Sequence, residues 1–481
     1  MMARFGETLL RLTARRKAPA EPVPLLLELV EKARTGEGWD GKAYPFAYRI
    51  SSRNSAPFYE IGCTLGYDEL LTMRKVVSEA SSSLEPREVD PLTFPRLVEV
   101  LTQHSAQALA ILGVKGRVKE LAELGAYEAI GLSRILALAK DDEVTEFYVD
   151  SDFTPVYLDH ATAGRCETGL VLTERERDAI KTHLDTFSGY TLDYKTPSLK
   201  NDLPIAGARL RMSLDLEPVS VNRFALDVRR LDMASLSLPQ LVALKVLTEE
   251  AAVLLVAWLE AGGNVTIIGE TGTGKTTLLN ALDEQVDRRL RRLYIEDAVE
   301  TRDLLELGYH QMKVKVDPFE RGDDSGRTKE SEIVKALHRS PDMVVLSEIQ
   351  SEEHSRAFFQ ALAAGARGIQ TFHASTAEQA IRRWVNLHRI SEQCLLDLGV
   401  LVQMSRPDRL KQERFVQRIC LVVQEAAGPK LRNLFMRDGD SGLVAVASPE
   451  LSSPRNVTPE TLQEKMLLVK ERIEGAAPAP A

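Results

Sequence analysis

The sequence predicts an α/β fold: a domain built on a parallel sheet, preceded by a smaller α+β domain and a mixed N-terminal region. Between residues 241 and 430, short apolar runs alternate with helical patterns, which is typical of a parallel sheet with helices on both faces. Between 141 and 230 the hydrophobic period changes to two, as expected for strands. A Gly-rich turn at 269–276 separates a predicted strand from a predicted helix.

The strands of the third region are identified by their apolar character. The turn at 269–276 follows a buried-type strand at 264–268 and precedes helical spacing over 275–290. The remaining predicted strands are 292–295, 312–316, 343–346 and 368–372, with terminal strands at 401–403 and 414–423.

The rest of the chain divides by changes in composition and period. In the α+β region, Thr173 and Glu176 have the spacing of a capping box that opens a helix. The predicted divisions are a basic segment and linker (1–24), a mixed, largely helical region (25–140), an α+β domain (141–230), a hinge-like connection (231–240), the parallel-sheet domain (241–430) and an extension with a disordered end (431–481).

Composition indicates a globular protein of two or three domains. The chain has 481 residues and a formal net charge of −9, so it lacks the global basic signature of nucleic-acid binding. Its four cysteines are scattered without metal-binding or disulfide spacing, which suits a reducing compartment. Residues 1–17 carry five basic side chains against one acid. This segment fits either an amphipathic contact with a membrane or partner, or a frayed basic tail.

The stretch 269–276 fits the phosphate-binding loop pattern G-x-x-x-x-G-K-[ST] in the correct strand–helix context. Its glycines let backbone N–H groups face phosphate oxygens at a helix N-terminus. Lys275 is expected to reach the β- and γ-phosphates, and the Thr276 hydroxyl to ligate Mg²⁺. Thr277 offers a second hydroxyl next to that of Thr276, but its side chain is expected mainly to pack against neighbouring residues. The predicted nucleotide-binding residues are Gly269, Glu270, Thr271, Gly272, Thr273, Gly274, Lys275, Thr276 and Thr277.

Acidic residues follow two of the predicted strands. Glu348 ends an apolar strand, at the sheet edge where ligands bind in open α/β folds, and could hold the Mg²⁺ shell or activate water. Glu296, Asp297 and Glu300 follow the strand at 292–295 and favour a metal or water role over a solvated loop. The predicted metal ligands are Thr276, Glu348 and Asp297, with Glu300 a further catalytic candidate.

A histidine and a set of arginines complete the candidates. His373 follows the strand at 368–372 and could sense a γ-phosphate, although a lone histidine is more often structural. The α+β region carries Arg209, Arg211, Arg223, Arg229 and Arg230, several at alternating strand positions. They form either a solvated basic face or a phosphate-capturing set, for which the planar guanidinium is suited.

Four motifs in this order resemble the motor ATPases of type II and type IV secretion, type IV pilus and archaellum assembly, including archaeal members. In that family the counterparts of 269–276, 295–300, 341–353 and 368–375 are the Walker A, Asp-box, Walker B and His-box motifs. The resemblance covers roughly 125–425. It implies a RecA-like P-loop ATPase domain preceded by a PAS-like domain, ATP and Mg²⁺ as cofactors, and catalytic roles for Lys275, Glu300, Glu348, His373, Arg209, Arg211 and Arg229.

The resemblance further implies a hexameric ring, peripheral at the cytoplasmic face of a membrane and docked on an integral-membrane platform protein, with no stable nucleic-acid partner. This sequence departs from the family in three motifs. Gln350 replaces the usual Arg after the Walker B acid, Ala366 stands where a His is common, and the family's Leu-Arg-x-Arg-Pro-Asp has His338 and Ser340 in place of its two arginines.

Three other functions remain open from the sequence. A nucleic-acid translocase would use the same ATP-hydrolysing domain, but the negative net charge argues against nucleic-acid binding. A nucleotide-gated scaffold that does not hydrolyse ATP is suggested by Gln350 and Ala366. A P-loop small-molecule kinase is disfavoured by the large preceding domain.

Overall fold

The computed structural model divides the chain into two compact units, residues 1–233 and 234–481. It describes residues 39, 41–90, 92–189, 191–231, 236–316, 328–407, 413–426, 428–439, 442–446 and 457–476. The predicted basic segment 1–24, four residues of the predicted hinge (232–235) and the predicted disordered end at 477–481 lie outside the described residues.

The first unit is built on one nine-stranded sheet in the order β1-β2-β3-β6-β5-β4-β9-β8-β7. Its strands are β1 Gly41–Ala43, β2 Phe46–Arg53, β3 Ala56–Cys63, β4 Val144–Val149, β5 Tyr157–His160, β6 Gly164–Thr168, β7 Ser198–Ile205, β8 Ala208–Leu216 and β9 Phe224–Arg230. Neighbouring strands are antiparallel except β3 and β6, which pair in parallel through Phe58 with Glu167 and Tyr59 with Thr168. The sheet therefore crosses the boundary expected at 140–141, and the two regions on either side of that boundary share one core.

Most helices of the first unit bury one apolar face, whereas the helix at 133–139 is buried at all of its residues. They span Tyr67–Ser82, Phe94–Ile111, Val118–Ala129, Ser133–Ala139 and Glu174–Ser188, with a short 3-10 turn at Pro86–Val89. The capping box predicted from Thr173 and Glu176 is present: Thr173 Oγ1 accepts from the Glu176 N–H, and Glu176 Oε2 accepts from the Thr173 N–H. The capping box therefore marks the start of the helix at 174–188 as predicted.

The second unit is built on another nine-stranded sheet in the order β12-β11-β13-β14-β10-β15-β16-β17-β18. Its strands are β10 Val265–Gly269, β11 Arg292–Glu296, β12 Gln311–Lys315, β13 Met343–Ile349, β14 Gly368–His373, β15 Val400–Ser405, β16 Phe415–Glu425, β17 Gly428–Asp438 and β18 Gly442–Ala445. Pairing is parallel from β12 to β15 and antiparallel from β15 to β18. β14 lies between β10 and β13, and the parallel part of the sheet agrees with the fold class that the sequence predicts.

Helices cover both faces of this sheet, as predicted, and each face has its own apolar cluster. One cluster includes residues of the helices at 249–260, 275–285 and 459–476, and the other includes residues from 333–336, 357–362 and 377–384. The helices span Leu238–Ala243, Glu249–Glu260, Lys275–Gln285, Lys329–Ala336, Glu352–Ala363, Ala377–Arg382 and Pro459–Ala476; 3-10 turns lie at Leu305–Leu307, Leu337–Arg339 and Glu392–Leu398, and a π turn at Arg383–Leu387.

The region beyond residue 430, expected to be an extension, is part of the second unit. β17 and β18 continue the sheet to residue 445. The helix Pro459–Ala476 buries Leu462, Val469 and Ile473 in the same cluster as the helix at 249–260, and Arg472 Nη2 donates to Glu260 Oε1 across 2.8 Å. This helix therefore supports the helix that precedes β10.

None of the helices in the described part of the chain combines the length and the apolar character that crossing a bilayer requires.

Candidate nucleotide site

The Gly-rich loop connects β10 to the helix Lys275–Gln285 in a conformation that its glycines make possible. Gly272 and Gly274 have φ values of +76° and +89°, in the left-handed region that side chains with a Cβ rarely adopt. A Cβ on Gly269 would lie 2.5 Å from Thr273 Oγ1, which itself donates to the Glu270 carbonyl. The loop thus delivers the first N–H groups of an eleven-residue helix to one concave end of the sheet.

Lys275 is buried within this loop. Its Nζ donates to the carbonyls of Gly269 and Glu270 across 3.0 and 2.9 Å, and it lies 3.3 Å from Nδ1 of His373. Only 8% of the residue is exposed. The ammonium is therefore held at the mouth of the loop by backbone oxygens, where an anion could bind it.

Glu348 and His373 meet at the ends of β13 and β14. His373 Nε2 contacts Glu348 Oε1, and Gln350 Nε2 donates to Glu348 Oε2 across 2.6 Å. Burial would raise the pKa of Glu348, but the hydrogen bonds from His373 and Gln350 oppose it, and the pKa lies below the usual value for a glutamate. If Lys275 donates to Nδ1, then Nε2 carries the ring proton toward Glu348, so lysine, imidazole and carboxylate form one chain of hydrogen bonds.

A register shift in β13 directs Glu348 to this position. Val344 and Leu346 belong to one core cluster and Met343 and Val345 to the other, as strict alternation requires. Ile349 then falls in the same cluster as Leu346, and the pairing with β14 shifts register between them. An irregularity at 347–348 of this kind re-aims a side chain and leaves part of the backbone without a ladder partner.

The three acids after β11 have three different environments. Glu296 is buried; its carboxylate accepts from the N–H groups of Glu300 and Thr301 and from the Thr301 hydroxyl, and burial raises its pKa. It thereby folds the loop that brings Glu300 Oε2 to 3.1 Å from the Thr276 hydroxyl. Asn280 fixes the same loop by donating to the Glu300 carbonyl.

Asp297, predicted as a metal ligand, has a different partner in this structure. Its Oδ1 accepts from Lys329 Nζ across 3.2 Å, and Lys329 is only 2% exposed. Sequence reasoning missed Lys329, because a lysine at the start of an amphipathic helix normally indicates a solvated position. It missed Arg383 as well, whose guanidinium donates to the carbonyls of His373 and Gln350 and so joins the ends of β14 and β13.

The five arginines of the first unit do not share one environment, although the pairing of Arg211 with Arg229 places Arg209, Arg211 and Arg229 on one face of the sheet, as the sequence predicts. Arg230 is buried and donates to the carbonyls of Ala139, Val144 and Asp141. Arg211 is also buried, with Nε 2.9 Å from Asp202 Oδ1. These two side chains therefore have structural partners within the first unit.

The remaining arginines of that set are more accessible. Arg229 is exposed and pairs in register with Arg211 and Glu146; Arg209 is half-buried. Arg223 is exposed, has a φ of +67° and lies 3.8 Å from Glu217.

Two unpredicted arginines flank the phosphate loop in the second unit. Arg406 Nη1 lies 3.3 Å from the position that a Cβ on Gly272 would occupy, and Arg414 Cδ lies 3.6 Å from the equivalent position at Gly274. Arg406 directly follows β15, and Arg414 directly precedes β16. The sequence predicts these two segments only as terminal strands and indicates no role for the arginines beside them.

The residues at this edge fit a magnesium nucleotide. Left-handed glycines, helix N–H groups and Lys275 form an anion-binding loop, and the Thr276 hydroxyl beside the Glu300 carboxylate supplies the hard oxygen ligands that Mg²⁺ prefers. Glu348 and His373 stand next to Lys275 on the neighbouring strands. The arrangement can bind phosphate, hold a divalent cation and position a general base.

Comparison with known proteins associates this site with one family. Residues 197–432 match the model of the family described as "Type II/IV secretion system protein". An uncharacterized protein of Methanocaldococcus jannaschii is 27% identical over 237 residues, which cover 47% of this chain and 32% of that protein. The type IV secretion system protein PtlH of Bordetella pertussis is 32% identical over 126 residues, covering 26% of this chain and 36% of PtlH. The chain thus matches about a third of the length of these relatives.

Solved structures with detectable similarity include two named ATPases. The VirB11 ATPase of the Brucella suis type IV secretion system has a TM-score of 0.30 and 18% identity, covering 60% of this chain and 93% of that chain. The Legionella pneumophila ATPase DotB has a TM-score of 0.43 and 16% identity, covering 60% of this chain and 80% of that chain.

Proposed function

Because this chain belongs, through residues 197–432, to the type II/IV secretion system protein family, we propose that it is an ATP-hydrolysing motor of a secretion or type IV pilus- or archaellum-like assembly machine. The observation that carries the proposal is the convergence of Lys275, Thr276, Glu300, Glu348 and His373 on one edge of the second sheet. These groups are the parts that phosphoryl transfer to water needs: a phosphate cradle, a metal site and a water-activating acid.

Each side chain has a defined role in this proposal. Lys275 would neutralise the β- and γ-phosphates, and Thr276 with Glu300 would hold Mg²⁺, which would supply further positive charge to the phosphates. Glu348 orients the attacking water, since its lowered pKa keeps it ionised and able to accept a hydrogen bond from that water, and it is the acid nearest His373 that can take the proton as the phosphoryl group transfers. His373 contacts both Glu348 and Lys275. A γ-phosphate that binds Lys275 would therefore change the hydrogen bonding of His373. Asp297 would have to leave Lys329, or use its second oxygen, to join the metal shell.

The wider machine is part of the same proposal. Arg209 and Arg229 are proposed to approach the triphosphate when the first unit closes on the second about the connection at 231–240. Closure on ATP and reopening after hydrolysis would supply the stroke. A nucleotide-sensitive hexameric ring at the cytoplasmic face of a membrane would transmit this motion to an integral-membrane platform protein.

Two other functions are distinguished by the same assays. A nucleotide-gated scaffold is favoured by Gln350, which stands where the family usually has Arg and here donates to Glu348. Such a scaffold would bind Mg-ATP without turnover. A nucleic-acid translocase would show turnover that rises on addition of DNA or RNA.

The test combines turnover, assembly and membrane association of the full chain. We expect Mg-dependent ATP hydrolysis, a particle mass that increases with a non-hydrolysable ATP analogue, and flotation with membranes only when they contain a platform protein. A strict monomer that binds nucleotide without turnover and ignores membranes would contradict the motor and favour the scaffold.

A further inference from the structure

Lys329 is a buried cation in a position that helix electrostatics disfavours. It is the first residue of the helix Lys329–Ala336, whose N-cap is Thr328. Positive charge at a helix N-terminus opposes the helix dipole, and burial adds a desolvation cost. A solvated residue or an acid would start this helix at lower cost, so the lysine needs another explanation.

The contacts of Lys329 connect two adjacent strands of the catalytic edge. Its Nζ donates to Asp297 Oδ1 across 3.2 Å and to the Glu348 carbonyl across 2.6 Å. Asp297 directly follows β11, Glu348 lies in β13, and these strands pair in parallel. A single ammonium therefore joins the loop after one strand to the backbone of the next.

The carbonyl that Lys329 binds lies in the irregular part of β13. The register with β14 shifts between Leu346 and Ile349, so this stretch departs from regular ladder pairing. A partly buried carbonyl outside the regular ladder is stabilised by another donor, because an unsatisfied polar group is costly. Lys329 supplies that donor at the residue whose carboxylate meets His373.

We propose that Lys329 is a positioning residue for ATP hydrolysis: by donating to the Glu348 carbonyl it fixes the orientation in which the Glu348 carboxylate faces His373 and the attacking water. The inference rests on the proposed ATPase function. It differs from a purely structural role, in which Lys329 would serve only as the counter-ion of Asp297.

The two roles are separated by a double-mutant cycle. Lys329→Met leaves the Asp297 carboxylate without its cation, so loss of stability alone could reduce turnover. Asp297→Asn removes the charge of the partner, and Asp297→Asn/Lys329→Met removes both charges. Lys329→Arg keeps the cation and its donors. Lys335→Met is the matched control, because Lys335 is on the same helix with its side chain 49% exposed.

Each protein is assayed for melting temperature, ATP turnover and binding of a non-hydrolysable ATP analogue in the presence of Mg²⁺. We expect the double variant to melt above Lys329→Met, because it no longer carries the Asp297 charge that Lys329 neutralises. We nevertheless expect its kcat to be at least about tenfold below that of Asp297→Asn, with analogue binding changed by less than about threefold, because a small misplacement of a catalytic group affects the transition state most. Lys329→Arg should recover turnover relative to Lys329→Met, and Lys335→Met should match the parent.

Equal kcat values for the double variant and Asp297→Asn would overturn the inference, because Lys329 would then act only as a counter-ion, while the ATPase function would stand. Absence of turnover in the parent protein would overturn the proposed function and this inference together. The parent measurement therefore distinguishes the two failures.

Discussion

Nζ of Lys275 lies 3.3 Å from Nδ1 of His373, so the cation of the phosphate loop and the imidazole at the end of β14 share one contact. The other ring nitrogen contacts Glu348. A bound γ-phosphate that attracts Lys275 would therefore act on the hydrogen-bond chain that orients the carboxylate.

Lys275→Ala should reduce ATP turnover by about a hundredfold or more, because the buried ammonium is the point charge placed within the loop to neutralise phosphate. Turnover and binding of a fluorescent ATP analogue check this, with the exposed Lys470→Ala as control. Hydrolysis at the parent rate would show that the phosphate site lies elsewhere.

Glu348→Gln should bind Mg-ATP like the parent and hydrolyse it about 10²- to 10⁴-fold more slowly, because shape is kept while the general base is lost. Single-turnover kinetics and equilibrium binding, measured on the same samples, separate the two effects. If the variant turned over normally, Glu300 would become the next candidate for the catalytic acid.

Glu300→Gln should raise the Mg²⁺ concentration needed for half-maximal turnover by about 10- to 100-fold, because its carboxylate lies beside the Thr276 hydroxyl. A Mg²⁺ titration at saturating ATP measures this. Glu306→Gln, an exposed acid in the following 3-10 turn, is the control. An unchanged Mg²⁺ requirement in Glu300→Gln would argue against this metal ligand.

Arg209→Ala and Arg229→Ala should lower kcat by about a hundredfold or more while leaving ATP binding nearly unchanged, if either acts on transition-state charge. Arg165→Ala, an exposed arginine of the same unit paired with Asp159, is the control. Parent-like turnover in both variants would favour the solvated basic face.

Arg292→Met should lower the free energy of unfolding by about 3–5 kcal/mol, because it leaves Asp283 buried without its cation. Both side chains are almost fully buried, with Arg292 Nε 3.0 Å from Asp283 Oδ1. Denaturant unfolding followed by circular dichroism measures the change. Arg292→Met/Asp283→Asn should recover part of the loss, and a variant as stable as the parent would contradict the role of this pair.

The sequence was sufficient where local pattern determines structure. The phosphate loop, the flanking strand and helix, and the capping box at Thr173 follow from side-chain spacing and backbone preference, and the structure contains all of them. The position of the acids after β11 at the edge of the sheet also follows from the sequence, because the ends of parallel strands bring side chains to one edge of a sheet.

The different contacts of the three acids after β11 could not be predicted from their spacing in the sequence. Glu296, Asp297 and Glu300 are within five residues of each other, yet they contact a loop backbone, Lys329 and Thr276 respectively. Lys329 and Arg383 act through contacts distant in sequence. The sheet that crosses 140–141 depends on two residue pairs between β3 and β6, which no local period reveals.

The register shift in β13 has a consequence for how this strand can tolerate mutation. In a regular strand the direction of Glu348 would be tied to the alternation that sorts residues 343 to 346 between the two core clusters. The shift falls between that stretch and Ile349. The direction of the Glu348 side chain is therefore independent of the alternation that packs residues 343 to 346. Apolar exchanges at 343–346 can therefore alter the core without turning the carboxylate, whereas inserting or deleting one residue at 347–348 would remove it from the site while leaving the hydrophobic pattern of the strand intact.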